Sequence, residues 1–594
     1  MSRLQSLRAS SSLHDVAALL QFKPKYLAYI LYKMPDAAKY RAFKIAKRSG
    51  GGREINAPCP ELKLLQRNLS ELLQDCTEEI NAKRKFRDQL AHGFKRHSSI
   101  ITNATKHLKR QYVFNIDLED FFGTINFGRV RGFLIKEANF MLHPTVATVL
   151  AQIACHGTGL PQGSPCSPVI SNLVGHVLDV QLCKLAAKHG CTYSRYADDM
   201  SFSTNKPDFP PVIARPVPGA VHEWEVGPGL ENAVVRAGFT IKKQKTRMQY
   251  ECSRQDVTGL VVNKKVNTRV DYRRTVKAMA QRLFTTGQFQ FIKTVIDSSG
   301  TATPIKVDGT VDQLHGMIAH IDFVNLHNEE LVTKRDSASS KEKEAAKLAL
   351  RSKQRLYRRF LLFKDFYSAQ RPVVVCEGKT DNIYLHHAIK GLAANYPKLA
   401  SLSPDNKVRL SIRILRTFES SAGRILNLAL GWSSLKGLIE SYVLELQKFK
   451  APGLSHAVIL LVDNDSAADE VFGMIRRVTK KNPPRTETCV HVAGNMYVVL
   501  TPLKSGAKQS EIEDCFDDSI LKLSLGGKTF TSDSKADPNL HFGKHILSQY
   551  VRENAAKIDF TGFSGVLDGI TSAIDDYEKK NPKPAIAAGI SIQN

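Results

Sequence analysis

The chain has 594 residues, with 84 Lys plus Arg against 57 Asp plus Glu, a formal net charge of +27 and 42% hydrophobic residues. Such a surplus of positive charge implies a polyanionic ligand held partly through counterion release, and a chain of this length folds around more than one core. Ten cysteines, none in a CxxC pair, argue against zinc and for a reducing compartment; with no signal-peptide pattern and no apolar run of roughly 18 residues, the expectation is a soluble, cytoplasmic protein without a membrane partner.

In chain order, residues 1 to about 80 carry apolar residues at helical spacing in Leu13 to Leu31 and Leu62 to Leu73. Between these runs, Gly50-Gly51-Gly52-Arg53-Glu54-Ile55 reads as a glycine turn. After Asn103-Ala104-Thr105-Lys106-His107, an apolar strand-like run from Tyr112 to Ile116 ends on Asp117, in Phe114-Asn115-Ile116-Asp117-Leu118-Glu119-Asp120-Phe121-Phe122. Gly and Pro fix an irregular loop in Gly159-Leu160-Pro161-Gln162-Gly163-Ser164-Pro165-Cys166-Ser167-Pro168, suited to close approach of backbone to a nucleotide and template. Around Tyr196-Ala197-Asp198-Asp199 the pattern is strand, tight turn, strand, with acids at the tip.

Neighbouring carboxylates repel and are costly to hold ionised unless a cation sits between them, which makes divalent metal binding the economical explanation of this pair. Acid pairs also occur in ordinary solvated turns, so the second acid matters. Two-metal phosphoryl-transfer sites need carboxylates converging from separate strands on cations about 4 Å apart. Asp117 with Asp198 supplies that, and Asp199 is an auxiliary ligand.

FNIDLEDFF, LPQGSPCSP and YADD, in that order, resemble the successive motifs of reverse transcriptases. The NAxxH string Asn103 to His107 and Val257-Thr258-Gly259 resemble two elements of retron reverse transcriptases, so the resemblance spans roughly residues 1–310. It implies an RNA-directed DNA polymerase using Mg2+ and dNTPs. Such an enzyme copies part of a cognate structured non-coding RNA from the 2′-hydroxyl of an internal guanosine and leaves branched msDNA. The same resemblance makes Asp117, Asp198 and Asp199 the metal-binding catalytic acids. Phe122 becomes the gate under the deoxyribose, Gln162 a contact to the incoming nucleotide, Lys245 a proton donor to pyrophosphate and Arg53 a grip on the triphosphate. Plainer readings stay open: a core Phe, a solvated lysine face, a surface Arg. Asn103, His107, Val257, Thr258, Gly259, Lys264 and Lys265 are implied RNA contacts, the VTG segment with Arg254 and Arg269 docking an RNA stem by shape and phosphates. A solvated basic hairpin and a core histidine are the alternatives.

Helices are expected from about 270 to 330, and Asn328 to Arg359, rich in Lys, Glu, Ala, Arg and Ser, reads as an exposed helical connector. Beyond it, Arg371-Pro372-Val373-Val374-Val375-Cys376-Glu377-Gly378-Lys379-Thr380-Asp381 is a buried-type strand, an acid, a glycine turn and a helix start; Ala457 to Asp465 repeats the design with a DxD. Ligands bind outside the carboxyl ends of strands in open parallel sheets, so Glu377, Asp463 and Asp465 are expected to converge on one metal site. This half resembles the TOPRIM domain of topoisomerases, primases and OLD-family nucleases over about 370–500, with OLD-like additions after it. Glu513, in Glu511-Ile512-Glu513-Asp514, is a further candidate ligand, and Lys544 a candidate for stabilising phosphate charge; an acid-rich helix start and a surface lysine are the plain readings. No GxxxxGK[ST] loop accompanies them.

The expected architecture is α/β and α+β, multidomain: a right-hand polymerase of fingers, palm and thumb (1–310), a helical basic connector (311–368), and a TOPRIM α/β domain with additions (369–594). The combined reading is a retron-type reverse transcriptase fused to a Mg2+-dependent nuclease of the toxin–antitoxin, antiphage kind. Its partners are the RNA, the msDNA, the nuclease's DNA or RNA target, and an oligomer assembled with msDNA. Two rivals stand beside it: a reverse transcriptase with a non-catalytic TOPRIM scaffold, and a mobile-element enzyme resembling those of group II introns.

Overall fold

The computed structural model describes residues 2–46, 52–83, 90–220, 222–296, 302–337, 339–403, 405, 407–416, 420–428, 432–465, 468–484, 486–533 and 536–582. The chain divides into two compact units, Met1–Arg274 with Phe291–Val307 and Phe323–Ala346, and Thr275–Gln290 with Asp308–Asp322 and Lys347–Asn594.

In the first unit the N-terminal helices Arg3–Ala9 and Leu13–Leu19 open on capping boxes, Ser2 with Gln5 and Ser12 with Asp15. Proline occupies the first turn of Pro24–Tyr32, Pro144–Ala154, Ser167–Lys188 and Pro228–Arg236, where its missing N–H has no helical partner to lose. Strands Tyr40–Ala46 and Gly52–Pro58 form an antiparallel hairpin that sets Arg53 opposite Ile45; Gly50 and Gly51 of the expected glycine turn lie outside the described residues. The central sheet is antiparallel, in the order Thr192–Tyr196, Asp199–Thr204, Tyr112–Asp117, Arg247–Tyr250. One apolar core joins its inner face to the N-terminal helices, to the long helix Pro60–Lys83 and to Ser167–Lys188.

Helix Ser167–Lys188 has the length and hydropathy of a membrane span, although no unbroken apolar run announces one. Half of that apolar window is buried, and the helix carries the fully buried Asp179, so it serves as a core helix. From the neighbouring strand the fully buried Arg195 donates Nε and Nη2 to the two Asp179 oxygens, each at 2.7 Å. Arg195 Nη1 then donates to the Ala197 carbonyl at 3.0 Å. Bidentate geometry offsets the large desolvation cost of such a pair.

Helices do occupy much of the stretch from about 270 to 330, but strands stand between them. Between helices Val270–Thr286 and Val311–Thr333 lie two paired strands, Gln290–Ile296 and Ala302–Asp308. Their alternating Phe, Ile, Thr and Val favour a pleated conformation and override the helical expectation. Within the expected connector, helix Ser340–Lys353 buries none of its residues, whereas Arg355–Leu362 buries Tyr357, Phe360, Leu361 and Leu362.

The second unit is built on a five-stranded sheet in the order Arg413–Ile414, Val373–Cys376, Val458–Val462, Met496–Leu500, Cys489–Ala493. The first three neighbouring pairs are parallel and the last is antiparallel. Strands Val373–Cys376, Val458–Val462 and Met496–Leu500 are buried at every residue, as expected when helices cover both faces of a parallel sheet.

The buried pair makes a prediction for the first unit. R195M should destabilise it by about 3–5 kcal/mol by stranding the Asp179 charge, and adding D179L should recover part of the loss. Pulse proteolysis in urea checks this: a single variant as resistant as wild type, or a double variant weaker than R195M, would contradict it.

Candidate active sites

At one end of the antiparallel sheet, Asp117 closes its strand directly opposite Asp199 in the register, and the Leu118 N–H donates to the Asp198 carbonyl at 3.0 Å. All three predicted acids therefore lie at the same end of the sheet, contributed by two adjacent strands and the turn between Tyr196 and Asp199. Asp117 is 6% exposed and accepts a 2.6 Å hydrogen bond from Lys245 Nζ. The Asp117 carbonyl also accepts from the Lys242 N–H at 2.8 Å, which ties the lysine-bearing turn to the acid strand.

The electrostatics match the crowding. Burial, then repulsion from Asp117, raises Asp198 above the ordinary carboxylate range. Asp199 is pushed up to about 7 by desolvation, then by Asp198 and Asp117; its residue surface is exposed, so water screens part of that effect. Lys245 loses some of its charge preference to burial but is raised overall by Asp117, Asp198 and Asp199.

Other predicted residues are held by contacts of their own. Phe122 packs edge-on against Phe94 and Phe121, half-buried, and its carbonyl accepts from the Leu160 N–H at 3.1 Å. Gln162 is held from the opposite side, its carbonyl accepting from Asn56 on the hairpin strand at 2.8 Å. Arg53, on that same strand and exposed, is near enough for its charge to lower Asp198 slightly.

Four residues missed in the sequence hold the acid turn in place. Ala197 adopts a left-handed φ of 57°, a conformation costing about 1–2 kcal/mol for a non-glycine residue. Its carbonyl is fixed by Arg195, and its N lies so near Gly93 that a Cβ there would stand 2.7 Å away. Asn172 donates to the Gly93 carbonyl at 2.6 Å, and Asp179 orients Arg195. The lone Asp in the largely apolar helix Ser167–Lys188 is the signal the sequence offers, because a buried charge requires a partner.

The expected RNA contacts need correction. Asn103 and His107 are 1% and 0% exposed, too deep to touch an RNA. His107 bridges Ser203 and Ser194 through its two ring nitrogens, both at 2.7 Å, and Ser194 donates to Asn103. Burial pushes its imidazole down to about 3, so it is a neutral core histidine behind the acid hairpin. Val257 is also fully buried, in a small core with Ile101, Leu260 and Val324. Thr258 and Gly259, with φ of 47° and 80°, form the two-residue turn of the hairpin Asp256–Val257 and Leu260–Val261; Gly259, Lys264 and Lys265 are exposed. Arg254 and Arg269 pair with buried Asp256 at 3.1 and 2.9 Å, so they brace this hairpin.

In the second unit, Glu377 and Asp463 follow adjacent parallel strands, and the Asp463 N–H donates to Glu377 Oε2 at 3.4 Å. Asp463 Oδ1 accepts from the Ile512 N–H at 2.9 Å, which draws in the turn carrying Glu513. Lys544 Nζ bridges Glu513 and Glu511 at 3.0 and 3.1 Å. Asp381 is a further acid the sequence reading had not assigned. It is 6% exposed and caps the glycine turn by accepting the Gly378 N–H at 2.7 Å, an approach that a Cβ on residue 378 would obstruct.

Burial, then Asp465 and Asp381, pushes Glu377 up to about 7; a hydrogen bond from the Asp463 backbone opposes this. Burial, Asp381, Glu377 and Glu513 push Asp463 up to about 9. Glu513 rises to about 7, chiefly by burial, and its Oε1 is buried with no hydrogen-bond partner among the described residues. Lys544 is held above its ordinary value because Glu513 and Glu511 outweigh its burial.

Among the described residues, no three His, Cys, Asp or Glu side chains stand gathered closely enough to hold a metal ion as they are. The expected convergence is thus a clustering within electrostatic range and not a closed cage. In donor chemistry both clusters suit a hard cation such as Mg2+, because all the groups are carboxylates and repulsion or an orphaned oxygen is left to relieve.

Residues 45–262 match the family model described as reverse transcriptase (RNA-dependent DNA polymerase). The matching segment lies in the first unit and contains Asp117, Asp198 and Asp199. Among reverse transcriptases the similarity is to retron enzymes. The chain is 34% identical to the retron Mx162 reverse transcriptase of Myxococcus xanthus over 276 residues, covering 44% of this chain and 54% of that protein. It is 29% identical to the retron Ec86 reverse transcriptase of Escherichia coli over 285 residues, 47% of this chain and 80% of the relative. The chain thus spans about half the length of the Mx162 protein. A solved apo telomerase from Candida tropicalis, truncated from its C-terminal domain, aligns at 13% identity with a TM-score of 0.28 over 40% of this chain and 56% of that one.

A pH prediction follows from the raised acids. Their folded-state values lie above their unfolded ones, so the stability they contribute is fully present below about pH 4 and is lost as pH rises through about 7 for Asp199, Glu377 and Glu513 and about 9 for Asp463. A cation competes with those protons. Mg2+ should therefore raise the thermal midpoints more at about pH 8.5 than at about pH 6. Differential scanning fluorimetry measures this, and equal shifts at both values would contradict it.

Proposed function

We propose that this chain is an RNA-directed DNA polymerase of the retron type, joined to a TOPRIM-like, metal-dependent nuclease. The observation that carries the polymerase half is Asp117 facing Asp199 in register beside the Asp198 turn, within the segment matching the reverse transcriptase model. Asp117, Asp198 and Asp199 would hold Mg2+, which when bound activates the primer hydroxyl and stabilises the leaving pyrophosphate.

Lys245 stays protonated beside Asp117 and supplies a proton to pyrophosphate. Phe122 supports the deoxyribose and disfavours a 2′-hydroxyl. Gln162 lines the nucleotide site from a loop bonded to the hairpin, and Arg53 on that hairpin grips the triphosphate. Gly259, Lys264 and Lys265 at the exposed turn contact a stem of the cognate RNA, whose internal guanosine 2′-hydroxyl primes synthesis and leaves branched msDNA.

In the second unit Glu377, Asp463, Asp465 and Glu513, with Asp381 beside them, would hold the cation for hydrolysis of a DNA or RNA backbone. Lys544 would stabilise developing phosphate charge. The polymerase's product restrains this nuclease until it is damaged or altered, giving an antiphage, toxin–antitoxin logic in a bacterial cytoplasm. One observation favours the rival reading of the second unit as a non-catalytic scaffold: Lys544 already engages Glu511 and Glu513, and among the described residues no three acids are gathered.

Two variants separate these readings. D198N/D199N should reduce primer extension on an RNA template to background, and E377Q should leave extension intact while abolishing Mg2+-dependent cleavage. Extension surviving in D198N/D199N would overturn the polymerase site; cleavage unchanged in E377Q would overturn the nuclease.

A further inference from the structure

Helix Pro24–Tyr32 carries the sequence Pro24-Lys25-Tyr26-Leu27-Ala28-Tyr29-Ile30-Leu31-Tyr32 and is followed by Lys33. At about 100° per residue, Lys25, Tyr26, Tyr29, Tyr32 and Lys33 fall within one arc of about 120°, and the buried Leu27 and Ile30 lie outside it. The three tyrosines are 41%, 47% and 55% exposed, unusual for residues that ordinarily hide most of their ring. Their planes are ordered. Phe22 and Tyr26 have centroids 6.1 Å apart, Tyr26 and Tyr29 6.3 Å apart, each pair within 7° of parallel. Tyr32 donates its hydroxyl to Gln152 at 3.1 Å, which fixes that ring. Lys25 and Lys33 are exposed and take part in no ion pair among the described residues. Burial, then the charge of Glu61, raises the Tyr26 hydroxyl above its ordinary value.

We infer that this face is a stacking platform for single-stranded RNA, with Tyr26 and Tyr29 under successive bases and Lys25 and Lys33 on the adjoining phosphates. Flat, parallel, exposed rings suit bases of any sequence, and each stacked base contributes about 1–3 kcal/mol. Tyrosine is common at protein interfaces but lysine is depleted there, so it is Lys25 and Lys33 beside the rings, in a chain of net charge +27, that favour a polyanion over a second copy. The choice of RNA over DNA rests on the proposed RNA template; the stacking geometry stands independently of both acid clusters.

The test uses the full-length chain, with the polymerase cleft saturated by a primer–template hybrid, and follows fluorescence anisotropy of a labelled oligouridylate of about twelve nucleotides. Y26A/Y29A should bind it about tenfold or more weakly, and Y26F/Y29F within about twofold of wild type. K25Q/K33Q, which leaves the rings in place, should weaken binding and flatten its logarithmic salt dependence by about 1.4. Primer extension on the hybrid should be unchanged in all three, which separates failure of this inference from failure of the polymerase reading. Wild-type affinity in both Y26A/Y29A and K25Q/K33Q would overturn the platform, as would tighter binding of the matching oligothymidylate. Unchanged binding with a loss of dimer mass by light scattering in Y26A/Y29A would assign the face to self-association instead.

Discussion

Burial of carboxylates crowded at the ends of strands, reinforced by their mutual repulsion, is the constraint that both units share. In the first unit the acids cannot drift apart, because two sit opposite each other in a hydrogen-bonded register and the third occupies the turn between paired strands. That turn is held in an unfavourable conformation at Ala197, and the buried Arg195–Asp179 pair, with Gly93 and Asn172, supplies the restraint. Strain of this kind persists only where the surroundings over-determine it. The energy stored in proximity and burial emerges as raised carboxylate pKa values, and a divalent cation is the simplest agent to relieve them.

The second unit reaches a similar arrangement by another route. Parallel strands bring Glu377 and Asp463 to one sheet end by topology alone, since neighbouring parallel strands terminate on the same side. A distant turn is then drawn in by the bond from the Ile512 N–H to Asp463. Each cluster also includes a lysine on a carboxylate, Lys245 on Asp117 and Lys544 on Glu513, which offsets some of the negative charge.

Much of this was legible in the sequence because the chemistry is local. Acids closing apolar strand runs, glycine turns beside them and the YADD hairpin all follow from strand and turn preferences acting over a few residues. What escaped was set by tertiary contact. Asn103 and His107 are RNA contacts by the family resemblance, with a core histidine as the alternative for His107, and they form a buried network with Ser194 and Ser203 that only the folded sheet brings together. Asp381 looked like an ordinary helix-starting acid until its reach back to Gly378 placed it among the second cluster. The strands Gln290–Ile296 and Ala302–Asp308 were lost to a helical expectation for their neighbourhood.

Locating bound cations tests the central claim most directly. Anomalous scattering from crystals of the full chain grown with Mn2+ should show peaks in contact with Asp117 and the Asp198–Asp199 turn, and a separate peak in contact with Glu377 and Asp463. Mn2+ found only at other surfaces, with both acid clusters empty, would contradict the account.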